Sequence, residues 1–250
     1  MTAQIPRSQL ANMFGWRNRI GLIVPSSDGT CEVEFNRYVP DGVSLHSSRV
    51  MLKDGVTDAA SLRKMNQGID TSVELLKTTD VDIIAYACTT GSLIEGNGYE
   101  AEIEQQISDN AGVPSVATAA SVKRAFKALN AKSIAVATPY VEELNRLEKQ
   151  FLEDSGFEVI DVSGLGLRTD NEIGDQHPET AYQEVRKLNH TAADCIFISC
   201  TGYHTADIIE PLEADLEKPV VTSNQATLWD ALRKLRVDYS EIPLGTLYSQ

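Results

Sequence analysis

Two of the four cysteines stand in matching contexts that suit chemistry. Cys88 follows an apolar run and precedes Thr-Thr-Gly, and Cys200 follows a second apolar run and precedes Thr-Gly. A thiolate at the N-terminus of a following helix would have a lowered pKa, and it could serve as a base or a nucleophile. Cys195 lies in mid-strand, and it and Cys31 fit small core residues better. Cys88 and Cys200 are therefore the candidate catalytic pair.

The residues after each cysteine can bind an anion. Thr89, Thr90, Thr201 and Gly202 would present hydroxyls and backbone N–H groups to a ligand at the strand ends. Ordinary capping of a helix by threonine is the alternative, and the two roles are compatible. Neither motif contains Lys or Arg. A substrate carboxylate would therefore be held by neutral donors.

The elements that position these residues alternate between apolar strands and amphipathic helices. This pattern predicts an α/β fold with a mostly parallel sheet and helices on both faces. It includes one helix from about Ala59 to Thr78 and a glycine-rich loop from Ser163 to Gly166. Ligands of open α/β sheets bind outside the carboxyl ends of the strands, where both cysteines are predicted to lie.

The chain also repeats itself. The segment from Ser133 to Pro139 is similar to that from Arg19 to Pro25, and the two cysteines, each at the end of a similar segment, lie 112 residues apart. This indicates an internal duplication. We expect one half to comprise residues 16–117 and 222–250 with Cys88, and the other to comprise residues 118–221 with Cys200. Two such halves packed face to face would place the thiols on opposite sides of one ligand.

Composition excludes several classes of protein. The formal net charge of −14 argues against nucleic-acid binding, which needs a basic surface, and it would repel an anionic substrate at long range. No apolar run approaches the roughly 20 residues of a membrane span. The N-terminus has no apolar core typical of a secretory signal, so a cytoplasmic location is expected.

Cofactor motifs are not found in the sequence. It has no phosphate loop, no dinucleotide fingerprint and no Cys/His cluster with zinc spacing, and its four histidines are scattered. We therefore expect no cofactor and no metal. The expected partner is a small carboxylate substrate; a homo-oligomer is compatible with the sequence, which does not determine the oligomeric state.

Five ordered motifs carry a resemblance to a known family. They are G-L-I-V-P-S-S-D at Gly21, A-C-T-T-G at Ala87, T-P-Y at Thr138, D-N-E-I-G at Asp170 and S-C-T-G at Ser199. From about Asn18 to Val237 the chain resembles the aspartate/glutamate racemase superfamily, in the branch of maleate cis-trans isomerase, arylmalonate decarboxylase and the ectoine-utilisation proteins. The resemblance implies two Rossmann-like halves related by pseudo-two-fold symmetry.

The resemblance also implies roles for individual residues. Cys88 and Cys200 resemble the two catalytic thiols, and Thr89 and Thr90 resemble a carboxylate-binding hydroxyl pair. Tyr140 and Asn171 resemble two further substrate-binding residues. Ser26 and Asp28 in the first motif, and Thr201 and Gly202 after the second cysteine, are also predicted to bind substrate.

The sequence departs from the family pattern at three places. Asp28 stands where the isomerase has Asn, so it would repel a second substrate carboxylate or bind an ammonium. Gly202 stands where glutamate racemases have His, with His204 two residues on. Cys88 stands where the decarboxylase has Gly, which argues against a simple decarboxylase.

Three functions follow as alternatives. A two-thiol isomerase would act either as a racemase, with one thiol on each face of a carbon, or as a cis-trans isomerase, with a thiolate adding to a double bond. A decarboxylase or lyase would use Cys200 alone. A protein that kept the fold without turnover would only bind a small carboxylate. The first is favoured because both thiols and their hydroxyl neighbours are present.

Overall fold

Eight parallel strands form two four-stranded sheets in this computed structural model, which describes residues 13–250. Residues 1–12, part of the N-terminal stretch considered above for a secretory signal, lie outside the described residues. The strands of the first sheet are β1 (Asn18–Pro25), β2 (Val43–Val50), β3 (Ile83–Tyr86) and β4 (Ser115–Ala117). Those of the second are β5 (Ser133–Tyr140), β6 (Glu158–Leu167), β7 (Cys195–Ile198) and β8 (Val220–Thr222).

Helices follow most strands and cover both sheets. They are α1 (Cys31–Tyr38), α2 (Ala59–Asn66), α3 (Ile69–Lys77), α4 (Thr89–Leu93), α5 (Tyr99–Ala111), α6 (Thr118–Ala128), α7 (Glu142–Asp154), α8 (Asp170–Gly174), α9 (Pro178–Lys187), α10 (Ile209–Leu216) and α11 (Ser223–Leu235). The central strands β3 and β7 are buried along their whole length. Burial on both faces explains why these strands appear in the sequence as unbroken apolar runs.

The two sheets have the same strand order. The first runs β2-β1-β3-β4 and the second β6-β5-β7-β8, with every pair parallel. Equal topology in the two halves of the chain confirms the predicted fold class and duplication. The halves meet along α6 and α11, where the Thr227 hydroxyl donates to the Thr118 hydroxyl at 3.0 Å. The exact division at residues 117/118 and 221/222 stays a prediction.

Two local predictions are wrong. The single helix expected from Ala59 to Thr78 is two helices, because the Gln67 and Gly68 N–H groups bond back three residues and end α2 in a tightened turn. The loop expected from Ser163 to Gly166 lies inside strand β6. A Cβ on Gly164 would lie 2.8 Å from the Tyr140 carbonyl oxygen. This glycine therefore serves close packing of β6 on β5 and not a turn.

The tail after Val237 packs against α11. The Gln225 amide donates to the Leu244 carbonyl at 2.7 Å, and the Tyr248 hydroxyl donates to the Gln225 carbonyl at 3.2 Å. The tail thereby covers the helix that begins beside the second cysteine loop. Within residues 13–250, no helix has the length and apolar character that crossing a bilayer requires.

Candidate active site

The carboxyl ends of strands from both sheets meet at one place. Three hydrogen bonds there join residues that follow strands of the first sheet to residues that follow strands of the second. Ser27, after β1, donates to Asp170 Oδ2 at 2.6 Å, and Thr30 donates to the Gly202 carbonyl at 2.9 Å. Thr89, after β3, donates to Ser223 Oγ at 2.8 Å. The loops that carry the predicted site residues are therefore in direct contact.

Cys88 begins the short helix α4. Its backbone is extended, with φ of −155°, and its sulfur accepts the Gly91 N–H at 3.3 Å. A Cβ on Gly91 would lie 2.9 Å from this sulfur and 2.4 Å from the Tyr86 hydroxyl oxygen. Only glycine fits beside the thiol without displacing it. The Thr-Thr-Gly sequence after Cys88 thus positions the sulfur at the helix N-terminus.

Cys200 is held differently. Its φ is +100°, a conformation that side chains rarely adopt and that tends to occur at functional sites. Its N–H donates to Ser223 Oγ at 3.0 Å. No α-helix follows it directly, since the next helical turn starts at Ala206. The expected helix N-terminus is present for Cys88 and not for Cys200.

Burial governs the protonation of both thiols. It raises the pKa of Cys88 to about 12, with a further increase from the charge of Asp170 and a smaller opposing effect of the Gly91 N–H. The pKa of Cys200 is also raised, first by burial and then by Asp170, against hydrogen bonds from Tyr140 and Gly202. The expected lowering of the thiol pKa is therefore wrong for this closed state. Both sulfurs are protonated at neutral pH before substrate binds.

The two thiols lie among the same acids. Asp28 and Asp170 both raise the pKa of Cys88 and of Cys200. Ser223 joins the two cysteine loops, and Ser27, next to Asp28, donates to Asp170, so these loops meet in one region. All four cysteines are free, and Cys88 and Cys200 are 5% and 6% exposed. The pair therefore lines one closed, acidic site.

The predicted hydroxyl donors are buried in this site. Thr89, Thr90 and Thr201 are each no more than 3% exposed. Ser223 accepts hydrogen bonds from both Thr89 and the Cys200 N–H, so it links the two cysteine loops. The Thr90 hydroxyl lowers the pKa of Cys88. These are neutral donors, as the absence of Lys and Arg from the motifs implied.

Tyr140 lies behind Cys200 in a buried polar chain. Ser199 Oγ donates to Glu148 Oε1 at 2.6 Å and lies 3.4 Å from the Tyr140 hydroxyl. Burial raises the pKa of Glu148 to about 7. The opposite thiol has its own tyrosine, since the Tyr86 hydroxyl donates to Asn66 Oδ1 at 2.5 Å beside Cys88. Each sulfur is thus backed by a buried phenol.

Two of the predicted substrate-binding residues, Ser26 and Asn171, have no hydrogen bond to either cysteine loop. The Ser26 hydroxyl accepts the Leu52 N–H at 3.0 Å and thereby ties the first loop to the end of β2. Asn171 lies exposed in the first turn of α8, next to buried Asp170. For these two residues, as for all the predicted site residues, contact with substrate stays a prediction. His204, half-buried, lies 3.3 Å from the Thr30 hydroxyl.

Sequence reasoning missed several residues of the site. They are Ser27, Tyr86, Glu148, Asp170 and Ser223. Ser27 and Asp170 stand inside two of the quoted motifs, and Tyr86 directly precedes a third, so adjacency was an available signal. The others enter through contacts between elements distant in sequence, which no local pattern encodes.

A strap of backbone closes the site. Val56 forms an antiparallel bridge with Thr169, and both the N–H and the hydroxyl of Thr57 donate to the Arg168 carbonyl, at 2.9 and 3.0 Å. These contacts join the loop after β2 to the start of α8, across the two halves. Within residues 13–250, no three His, Cys, Asp or Glu side chains are grouped as a metal site would require.

Comparison with known proteins gives consistent relatives. The family model described as arylmalonate decarboxylase matches residues 20–248. The maleate isomerase of Pseudomonas putida KT2440 is 29% identical over 92% of this chain and 97% of its own length. That of Geobacillus stearothermophilus is 28% identical, with the same coverage of both chains. The crystal structure of the maleate isomerase Iso from Pseudomonas putida S16 superposes with a TM-score of 0.89, at 27% identity, covering 93% of this chain and 98% of that one.

Proposed function

The chain belongs to the arylmalonate decarboxylase family, and within it we propose a cofactor-independent isomerase that uses Cys88 and Cys200 on a small carboxylate. The curated relatives named above are maleate isomerases. A cytoplasmic location belongs to the same proposal. The observation that carries it is the pair of thiols that end equivalent strands of a duplicated fold and share the same acidic neighbours.

The thiols have distinct supports for a reacting thiolate. The Gly91 N–H and the Thr90 hydroxyl lower the pKa of Cys88, and Tyr140 and the Gly202 N–H lower that of Cys200. These groups oppose the larger effect of burial. We assign the thiolate to the substrate complex, in which one sulfur reacts while the other keeps its proton. Thr89, Thr90, Thr201 and Gly202 are the donors proposed for the substrate carboxylate.

Two reactions use this arrangement without any further reactant. In racemisation, one thiolate removes the proton next to the carboxylate and the opposite thiol protonates the other face of the carbanion. In cis-trans isomerisation, one thiolate forms a C–S bond as the double bond breaks, and the second thiol protonates the adjacent carbon. After rotation, the second sulfur takes back a proton, the C–S bond breaks and the double bond forms again.

Incubation with a panel of small carboxylates in heavy water tests the proposal. Proton NMR should show either deuterium at the α-carbon without loss of substrate or conversion between geometric isomers. Cys195→Ala is the matched control, because Cys195 is a buried thiol at the start of β7, at the opposite end of the strand from Cys200. Release of carbon dioxide without isomerisation, or binding without any conversion across the panel, would refute the isomerase.

A decarboxylase that uses Cys200 alone is the second candidate, and the family match supports it. The decarboxylases carry Gly in the place of Cys88. If this chain were a decarboxylase, Cys88→Gly would keep or increase carbon dioxide release from an arylmalonate. The isomerase proposal expects no such release from the wild-type protein and loss of isomerisation in Cys88→Gly.

A further inference from the structure

Two buried carboxylates lie on the loops that meet at the site. Asp28 is 2% exposed and Asp170 is 7% exposed. Asp28 raises the pKa of Asp170, so the two carboxylates lie close to each other. The strongest charge effects on both thiols also come from these acids. Burial raises the pKa of both acids, so a cationic group that enters the site would favour their ionised forms.

One carboxylate oxygen of Asp28 accepts hydrogen bonds, and the other has no partner in the described part of the chain. Its Oδ1 accepts the N–H groups of Thr30 and Cys31, each at 2.9 Å. Its Oδ2 is buried and has no hydrogen-bond partner among residues 13–250. Burial raises the pKa of Asp28 above its usual value, against the opposing effects of the Cys31 and Thr30 N–H groups and the nearby Thr201 hydroxyl. The two backbone bonds fix the carboxylate, and the Thr30 hydroxyl bond to the Gly202 carbonyl places its loop against the loop that carries Cys200. A buried, fixed and unpartnered oxygen is a place for a donor from a ligand.

Asp170 faces the same space from the other half. Its Oδ2 accepts the Ser27 hydroxyl at 2.6 Å. Burial raises the pKa of Asp170 to about 6, so it is mostly ionised at neutral pH. The two acids thus stand on loops of opposite halves, joined through the residue next to Asp28.

The neighbouring cation does not neutralise this pair. Arg49 lowers the pKa of Asp28, yet its Nη1 donates to the Asp28 backbone carbonyl at 2.7 Å. Its Nη2 pairs with Glu32 at 2.8 Å, and the Arg49 side chain is 40% exposed. Arg49 therefore binds the backbone of the loop and Glu32, and it makes no hydrogen bond to the Asp28 carboxylate. A buried negative charge without a partner is unfavourable, and a ligand cation would offset it.

We infer that Asp28 and Asp170 select a substrate with a protonated nitrogen besides its carboxylate. This inference rests on the proposed isomerase and names its substrate class. The carboxylate would lie beside Thr89 and Thr90, and the nitrogen would donate to Asp28 Oδ2 and to Asp170. A dicarboxylate would place its second negative charge beside two buried acids. The chain would therefore discriminate against maleate, the substrate in the name of its relatives.

Binding of two matched ligands tests the inference. Succinate and 3-aminopropanoate share a propanoate frame and differ only in a terminal carboxylate or ammonium. Isothermal titration calorimetry at neutral pH should give the wild-type protein at least a roughly tenfold lower Kd for 3-aminopropanoate, since opposite charges at contact distance are worth on the order of a kcal/mol or more. Asp28→Asn with Asp170→Asn should abolish or reverse this preference.

The variants keep the hydrogen bonds of the fold. An asparagine Oδ1 still accepts from Thr30 and Cys31, and in Asp170→Asn it still accepts from Ser27. Each single variant is measured as well, with circular dichroism as the folding check. Glu32→Gln is the matched control, because it removes one charge beside the same loop while lying outside the site. It should leave the preference unchanged.

Catalysis supplies a second readout. The double variant should convert maleate to fumarate at least roughly tenfold faster than the wild-type protein, because two repulsive charges are removed. Equal binding of both ligands by the wild-type protein, or efficient wild-type turnover of maleate, would overturn the inference and leave the isomerase intact. The wild-type protein could prefer 3-aminopropanoate and the double variant lose or reverse that preference, while neither protein converts any carboxylate. This result would support the inference and refute the isomerase.

Discussion

At the scale of single residues, the location of protons determines what the site can do. Burial is the first cause of the raised pKa of Cys88, at about 12, of Glu148, at about 7, and of Asp170, at about 6. At neutral pH the resting site therefore holds neutral thiols, an acid on each loop and a carboxyl near half-ionisation behind Tyr140. Substrate binding has to lower the pKa of one thiol before a thiolate forms.

The resting thiols are expected to titrate only in strong base. The difference in thiolate ultraviolet absorbance between the wild-type protein and Cys88→Ala should show no step below about pH 9, because burial outweighs the Gly91 N–H. Cys195→Ala serves as the control for a thiol without a site, whose pKa burial also raises. An absorbance step from Cys88 near neutral pH would mean that the N-terminus of α4 affects the pKa of this thiol more than burial does.

Glu148 should make the fold less stable as pH rises. Its pKa is raised in the folded protein, so its favourable contribution is complete below the unfolded pKa and is lost as pH rises through about 7. Glu148→Gln should remove this loss. Relative to wild type, the variant should gain up to about 3 kcal/mol in unfolding free energy between pH 4.5 and 8.

Urea unfolding at several pH values measures this gain. Glu153→Gln is the matched control, because Glu153 lies on the same helix, half-exposed and paired with Lys149. It should show no comparable trend. An identical pH dependence for Glu148→Gln and the wild-type protein would show that Glu148 is not the responsible group.

At the scale of elements, the junction between a strand and the next loop positions each thiol. In the first half, β3 passes into α4, and Gly91 allows the helix to approach Cys88 and Tyr86. In the second half, β7 passes into a turn that places Cys200 at φ of +100°. The halves share strand order, but their junctions have diverged.

Gly91→Ala should displace Cys88 and inactivate the protein. The new Cβ would lie 2.4 Å from the Tyr86 hydroxyl oxygen and 2.9 Å from the Cys88 sulfur, so buried atoms must shift. We expect a loss of about 1–3 kcal/mol in stability, typical of overpacking, with a larger proportional loss of turnover. Gly29→Ala is the control, since nothing lies within 4 Å of its Cβ. Unchanged turnover in a folded Gly91→Ala protein would contradict this account.

Local pattern predicted most of the fold and part of the site. Apolar runs identified the strands, and the repeat identified equivalent positions for Cys88 and Cys200. The pattern failed at Gly164, because a glycine that permits close packing looks the same in sequence as one that makes a turn. It also failed for the thiol pKa. Helix position is local, whereas burial depends on the whole molecule and had the larger effect.

At the scale of the whole molecule, polar contacts between the halves hold the site together. The Asp230 carboxylate on α11 is fully buried and accepts from Ser121 at 3.0 Å and from Arg124 at 2.5 Å, both on α6. It also accepts from Arg233 at 2.8 Å. Because Arg124 pairs with Glu104 on α5 as well, this network connects three helices.

Asp230→Asn should weaken this interface. The amide cannot balance the charge of Arg124, so we expect a loss of roughly 2–4 kcal/mol in unfolding free energy. Thermal and denaturant unfolding measure it. Asp215→Asn, in which a half-exposed acid is 3.9 Å from Arg186, is the control and should change stability by less than about 1 kcal/mol. Equal effects of the two substitutions would show that the network contributes little.

The most direct test of the two-thiol site is the isomerisation rate of the two single cysteine variants. The substrate is the carboxylate that the heavy-water panel identifies. With it, Cys88→Ala and Cys200→Ala should each lower the rate of net isomerisation by about 10²–10⁴-fold, because each thiol reacts on one face of the substrate. Cys195→Ala should stay close to the wild-type rate. Full isomerisation by Cys88→Ala would contradict the account and leave a mechanism that rests on Cys200, and full activity in both variants would leave neither thiol a catalytic role.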